Sequence, residues 1–379
     1  MVRYVIVLLL LVCGALPAAA QVPLELKARN AILIDADTGT ILYDKDSHRA
    51  IYPASMTKIM TVYLIFEQVK SGRMKWEDLW TVSANAQRQQ GSRSFVQAGS
   101  QISVYDCTLG IIVHSGNDCA VVAAEAIAGS EAGFAVMMTE KAVELGMKES
   151  VFKNASGLPN PDHWSSSADL AVLALNMIRN FPDYYPMYAT KAFTINNITQ
   201  PSRNPLFRSN FEGADGLKTG YTEDAGYCFV GSAVRNGRRL IGVVAGLESP
   251  NQRSQDIQAL LEWGFNQFDN YRVATVGNAV LKAPVWLGTV KEVALETSKT
   301  LALTLPISAS KGLEAKVTYT TPLQAPLKKG QEVGVITLTS PLLKQTYNVP
   351  LVVSTDVPAL GASTSLQQRI IYAFTGDAG

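Results

Sequence analysis

The chain has 379 residues, 47% hydrophobic and 17% charged, which is ample for packed cores and excludes a disordered or low-complexity polymer. Single cores stop growing near roughly 250 to 300 residues, so this length points to two domains. Formal net charge is +1, and Arg3 is the one charged residue among residues 1–20, so the remainder of the chain is neutral and lacks the clustered basic footprint of a nucleic-acid binder.

In chain order, residues 1–20 read as an export signal: Arg3, an apolar run over residues 4–12, then Pro17-Ala18-Ala19-Ala20 as a small-residue cleavage site before Gln21. The run is too short for a membrane-spanning helix, which needs about 20 apolar residues. Three cysteines follow, Cys107, Cys119 and Cys228. An odd count, each in an apolar run, predicts buried free thiols rather than a disulfide framework.

Residues 31–34 and 40–43 flank Asp37-Thr38-Gly39 and predict a hairpin. Residues 56–69 are apolar nearly all round, predicting a buried central helix entered through Pro53 and Ser55 and stopped by Ser71-Gly72. Residues 104–113 and 118–128 predict two helices joined by Ser115-Gly116-Asn117, and residues 169–178 another. Residues 217–219, 227–230 and 240–244 predict paired strands, and residues 255–265 a closing helix. The first domain, residues 21–268, is therefore expected to be α+β, an antiparallel sheet with a helical cluster. From residue 271 to 360, apolar residues alternate with polar ones between Pro306, Gly312, Pro322, Pro326 and Gly330, the pattern of a small all-β sandwich.

The chemistry lies in three motifs. Ser55-Met56-Thr57-Lys58 sets a hydroxyl and an amine three residues apart at a helix start, hence on one face. A desolvated amine loses its proton readily, and a neutral Lys58 can then activate Ser55, otherwise a weak nucleophile. The S-x-x-K spacing also occurs at Ser150/Lys153 and Ser308/Lys311, but only the first copy opens a long apolar helix. Ser115-Gly116-Asn117 adds a second hydroxyl and an amide. Lys218-Thr219-Gly220 adds a cation and a hydroxyl on a strand, ending in a glycine that admits a close backbone approach. Each motif alone reads as a cap, a loop or an edge-strand charge. All three in this order, each on the element its chemistry needs, predict a serine acyl-transfer site.

With these residues in view the chain resembles the low-molecular-weight penicillin-binding proteins of the D-alanyl-D-alanine carboxypeptidase type. Besides the three motifs, the likeness includes Asn154-Ala155-Ser156-Gly157-Leu158, Asp215-Gly216-Leu217, the Trp263-Gly264-Phe265 helix end and the trailing β domain. The resemblance implies a β-lactamase/transpeptidase-like first domain and a periplasmic enzyme that takes the terminal D-Ala from peptidoglycan stem pentapeptides and is inhibited covalently by β-lactams. It implies Ser55 as the acylated nucleophile and Lys58 as its base. Ser115 and Asn117 are implied as proton relay and substrate-amide contact, and Lys218, Thr219 and Gly220 as the strand that holds substrate. By the same likeness, Arg203 and Arg253 bind the terminal carboxylate, and the N–H groups of Ser55 and Tyr221 form the oxyanion hole. Many relatives carry His after K-T-G where this chain has Tyr221. The sister class A β-lactamases place a Glu in the loop after S-x-N; between Asn154 and Asp169 this chain has only Asp162, expected to be a solvated loop residue.

The motifs also suit a D,D-endopeptidase or a β-lactamase, and a wall-binding protein without catalysis is the alternative from another class. No metal site or cofactor is expected: His48, His114 and His163 lack ligand spacing, and there is no G-x-S-x-G elbow or phosphate loop. In the tail, residues 363–379, Leu366, Ile370, Ile371 and Phe374 form an apolar stripe. The resemblance implies a peripheral membrane anchor there, while the residues alone equally suit a short docked helix or a frayed end.

Overall fold

The structure, a computed structural model, describes residues 3–10, 23–309, 314–339 and 346–367. It divides into two compact units, one spanning Pro23–Asn266 and the other joining Met1–Val22 to Gln267–Gly379.

The first unit is built on a five-stranded antiparallel sheet. In chain order its elements are β1 (Asn30–Asp35), β2 (Ile41–Lys45), α1 (Lys58–Lys70), α2 (Val104–Leu109), α3 (Asn117–Ala128), α4 (Glu131–Leu145) and α5 (Ser167–Asn180). A hairpin of β3 (Ala192–Ile195) and β4 (Ile198–Pro201) follows, then β5 (Ala214–Thr222), β6 (Gly226–Arg235), β7 (Arg238–Leu247) and α6 (Pro250–Gln267). Strand order is β2-β1-β7-β6-β5, so β5 lies at an edge.

Antiparallel sheets often leave one face to water, but this one is covered on both. All six residues of β1 are buried, with Ile32 and Ile34 in the core shared with the helices and Ala31 and Leu33 in the core under α6. That is why β1 reads as a continuous apolar run rather than an alternating one. Helix α6 buries Ile257, Leu260, Leu261 and Gly264, one stripe at helical spacing. A Cβ on Gly264 would sit 2.4 Å from a Leu33 methyl, so the glycine draws the helix onto the sheet.

Helix α1 is buried on nearly every side, as its composition predicts. The hairpin over residues 31–43, the helices flanking Ser115-Gly116-Asn117 and the paired strands also appear. The closing helix starts at Pro250, five residues before the apolar pattern does, because its first turn carries polar side chains. Helix α4 was not anticipated: its buried face, Phe134, Ala135, Met138 and Ala142, is narrow, and Val136 and Val143 are exposed and blur the period. Cys107, Cys119 and Cys228 are free and buried.

The second unit is all-β. A seven-stranded sheet includes Leu281–Trp286, Glu292–Thr297, Glu314–Thr321, Glu332–Thr339 and Tyr347–Val353. A two-stranded ribbon of Phe268–Ala274 and Leu301–Pro306 adds Leu303 and Leu305 to the core formed by Val293, Leu295, Val317, Leu338 and Leu351. Residues Arg3–Leu10 pair antiparallel with Glu314–Thr321, Arg3 opposite Thr321 and Leu10 opposite Glu314. The expected cleavage site before Gln21, Lys311 of the third S-x-x-K copy, and Ile370, Ile371 and Phe374 lie outside the described residues. Residues 362–367 are helical and Leu366 is exposed.

Candidate active site

Ser55 lies in a 3-10 turn, Ala54–Thr57, that runs directly into α1, so Lys58 follows it by one turn on the same side. Ser55 is partly exposed; Lys58 is fully buried. The Lys58 amine lies 3.0 Å from Ser55 Oγ, 2.7 Å from Asn117 Oδ1 and 2.6 Å from the Ser156 carbonyl. Burial, reinforced by the positive charge of Arg203 and opposed by Asp118 and Glu131, lowers the Lys58 pKa to about 7. The first turn of a helix, where the macrodipole is positive, also disfavours an ammonium. A neutral amine has two hydrogens and one lone pair. Asn117 Oδ1 and the Ser156 carbonyl can only accept, so they take the two hydrogens, and the lone pair is left to accept the Ser55 hydroxyl proton. This hydrogen-bond arithmetic directs the lone pair of the neutral amine at one atom, Ser55 Oγ.

Ser115 follows a π-turn, Gly110–His114, and is held in the left-handed region with φ +62, a strained setting for a residue with a Cβ. There its Oγ accepts from the Lys218 amine at 2.9 Å. Lys218 is buried and its pKa is lowered, by desolvation first and then by Lys58, Arg203 and Arg253. No carboxylate pairs with Lys58 or Lys218 among the described residues. The site therefore has a positive potential suited to an anion. Asn117 is fixed from the opposite side by donation from its Nδ2 to the Gln90 carbonyl at 2.6 Å and from its backbone N–H to the Ser92 carbonyl at 2.8 Å. Asp118, next in sequence, holds the same loop by accepting from the N–H of Ser94 and of Val96.

Edge strand β5 brings Thr219, Gly220 and Tyr221 alongside. The sequence suggests that Gly220 admits substrate, but a Cβ there would meet the Pro53 carbonyl at 2.9 Å and Met56 Cγ at 3.2 Å. What this glycine admits is the turn that carries Ser55. From the other side, a Cβ on Gly157 would collide with the Ala54 carbonyl at 1.8 Å, and its φ of +80 independently favours glycine. The turn is thus clasped between two glycines. Tyr221 is half exposed and stacks on Tyr227 with centroids 4.2 Å apart. Arg253 lies over the other member of that pair, 5.6 Å from the Tyr227 ring, and its Nε is buried without a partner among the described residues. Burial lowers its pKa to about 10. Arg203 stands at the exposed rim and donates to Ser92 Oγ.

The second S-x-x-K copy has structural work. Ser150 Oγ donates to Asp169 at 2.7 Å, inside a network that also includes Ser165. His114 is buried against Ser94 Oγ and the Phe193 carbonyl, beside Ser115 in sequence but bonded elsewhere. Asp162 is exposed, as expected. Three participants escaped the sequence reading: the Ser156 carbonyl, Asp118, and His163, whose Nε2 lies 3.0 Å from Thr57 Oγ1 and whose Nδ1 accepts from the Lys153 N–H at 3.3 Å. Only Asn154-Ala155-Ser156-Gly157-Leu158, with its glycine, carried a signal for the first of these.

A hydroxyl facing a buried amine base, a second hydroxyl linked to a buried cation and an edge strand to hold a chain define a serine hydrolase that works by acyl transfer. Residues 17–249 match the family described as D-alanyl-D-alanine carboxypeptidase, and residues 268–359 match penicillin-binding protein 5, C-terminal domain. The chain is 37% identical over 316 residues to the D-alanyl-D-alanine carboxypeptidase DacC of Escherichia coli, covering 82% of this chain and 79% of that protein. It is 35% identical over 322 residues to DacF of Bacillus subtilis, covering 82% and 81%. Penicillin-binding protein 5 from Haemophilus influenzae superposes with a TM-score of 0.81 at 33% identity, covering 89% of this chain and 99% of that one. Penicillin-binding protein D2 from Listeria monocytogenes, solved in ampicillin- and cefotaxime-bound forms, superposes with a TM-score of 0.57 at 30% identity, covering 65% and 100%. This chain belongs to the D-alanyl-D-alanine carboxypeptidase family, and it is a serine hydrolase of the low-molecular-weight penicillin-binding type.

Proposed function

We propose that Ser55, activated by Lys58, removes the terminal D-Ala from peptidoglycan stem peptides through an acyl-enzyme, and that β-lactams acylate the same oxygen. The supporting observation is the lysine amine shared among Ser55, Asn117 and the Ser156 carbonyl, which leaves its lone pair for the serine. Ser55 Oγ attacks the penultimate D-Ala carbonyl as its proton passes to Lys58. The oxyanion forms against the N–H groups of Ser55 and Tyr221. The C–N bond then breaks as the proton held by Lys58 passes through Ser115, beside Lys218, to the leaving amine, which returns Lys58 to its neutral form. Asn117 steadies the substrate amide, while Thr219, Arg203 and Arg253 receive the terminal carboxylate on β5. Water, activated by Lys58 in its neutral form, hydrolyses the ester and regenerates Ser55.

The leader, residues 1–20, supports export to the periplasm, and the apolar stripe of the tail supports peripheral attachment to the membrane surface. The test joins two readings on the processed chain: intact mass after penicillin, and free D-Ala released from a peptide ending in D-Ala-D-Ala. A stoichiometric adduct on Ser55 with D-Ala release is expected. An adduct without release from any peptide would overturn the carboxypeptidase assignment.

A further inference from the structure

The segment that supplies the Ser156 carbonyl to Lys58 is itself held by hydrogen bonds of two kinds. Within it, the Asn154 side chain accepts from the Ser156 N–H at 3.2 Å and from the Gly157 N–H at 2.7 Å. These bonds move with the segment. From α1, Thr61 donates to the Ala155 carbonyl at 2.6 Å and Lys58 to the Ser156 carbonyl at 2.6 Å. These come from the helix whose lysine is being oriented, so they cannot serve it as an independent reference. The Ala155 N–H differs: it donates to Glu131 Oε1 at 3.1 Å, which ties the segment to α4.

Glu131 is well placed to act as an anchor. It is the first residue of α4, directly after Ser130, whose hydroxyl caps the helix by accepting from the Gly133 N–H at 3.1 Å. A carboxylate in the first helical turn is favoured by the macrodipole. Phe134 and Met138 on the same helix are buried and seat it in the core. The Glu131 side chain is partly buried and belongs to none of the three motifs. Asp118 from α3 and Glu131 from α4 face the Lys58 amine with negative charge, and Arg203 beyond β4 and Lys218 on β5 face it with positive charge. Glu131 thus acts on the amine twice, through its charge and through the carbonyl to which the amine donates.

We infer that Glu131 is a positioning residue for the general base: by holding the Ala155 N–H it fixes the neighbouring Ser156 carbonyl, and that carbonyl orients the Lys58 amine toward Ser55. This rests on the proposed reading of Lys58 as the base.

The test is the rate of penicillin acylation against pH, followed by intact mass, for the full processed chain and its Glu131→Gln and Glu131→Ala variants. Glutamine keeps an oxygen for the Ala155 N–H but has no charge. The Lys58 ammonium is then less well stabilised, so the acid limb of the profile should move about half a unit to lower pH, with the plateau falling no more than about twofold. Alanine loses the acceptor as well, and its plateau should fall about 10-fold. An acid limb that stays in place in Glu131→Gln, or an alanine variant as fast as the glutamine one, would overturn the inference. If Glu131→Ala does not fold, the acid limb of Glu131→Gln decides alone. Failure of the underlying reading has a different signature: a parent that forms no adduct, or one whose acylation shows no acid limb near neutral pH.

Discussion

Thr57 and His163, 106 positions apart in the chain, are joined by a 3.0 Å hydrogen bond directly beneath the serine turn. Because Nδ1 of His163 accepts from the Lys153 N–H, its Nε2 carries the hydrogen and donates to Thr57. Protonation would place a second hydrogen on Nδ1, facing a donor. The folded pKa of about 4, against an ordinary 6.5, follows mainly from burial and then from Lys153 and Lys58. The unfolded chain therefore binds more protons between these values, so this histidine's contribution to stability is complete above pH 6.5 and declines as pH falls toward 4. Its share of the decline is about 3 kcal/mol. Urea unfolding across this window should show a shallower pH dependence in His163→Gln than in the parent. Parallel curves would remove His163 as the source.

Acylation should increase as pH rises through about 7, where Lys58 loses its proton, since only the neutral amine can accept one from Ser55. Ser55→Ala should abolish the penicillin adduct, and Lys58→Arg should lower acylation by about 1,000-fold or more because a guanidinium stays protonated. An adduct that maps to Ser150 or Ser308 would refute the assignment.

Arg253 offers a buried Nε with no partner of its own among the described residues, so a bound carboxylate would complete its hydrogen bonding. Arg253→Ala should reduce kcat/KM about 10-fold or more on a peptide with a free C-terminus and change little on an ester substrate lacking that carboxylate. Equal losses on both would mean that Arg253 supports the fold instead.

Asp118 accepts from Ser94, Val96 and Cys119 backbone N–H groups, and so ties the loop that grips Asn117 to the start of α3. Asp118→Ala leaves these donors buried and unmatched, at a cost of about 2–3 kcal/mol. Denaturant unfolding should show a lower midpoint with an unchanged slope. Acylation should slow as well, because Asn117 loses its brace.

Membrane attachment is checked by liposome flotation of the processed chain against one ending at Ala362. Reduced binding of the shorter chain is expected, with unchanged catalysis on small peptides, since no proposed site residue follows Arg253. Equal binding would eliminate the tail as an anchor.

The motifs were legible because their spacing is local: three residues put Ser55 and Lys58 on one side of a turn whatever surrounds them. The strands and α1 were legible because their apolar runs are long. Less accessible were relations set by tertiary approach. Nothing near Lys58 in sequence announces the Ser156 carbonyl, 98 positions away, although that oxygen helps decide which way the amine faces. Gly220 was recognised as a site of close approach, but its neighbour proved to be Pro53. Helix α4 was lost because two exposed valines interrupt its narrow buried stripe.

Gly157 and Gly220 pin residues 53–56 from opposite sides, which bears on how this chain could change under antibiotic selection. A side chain added at either glycine displaces the turn itself, so substitutions there sacrifice the physiological reaction together with drug sensitivity. Variation that separates the two must act where the walls are movable: the loop over residues 90–96, held to the site through Asn117 and Asp118, and the exposed Tyr221 on the outer strand.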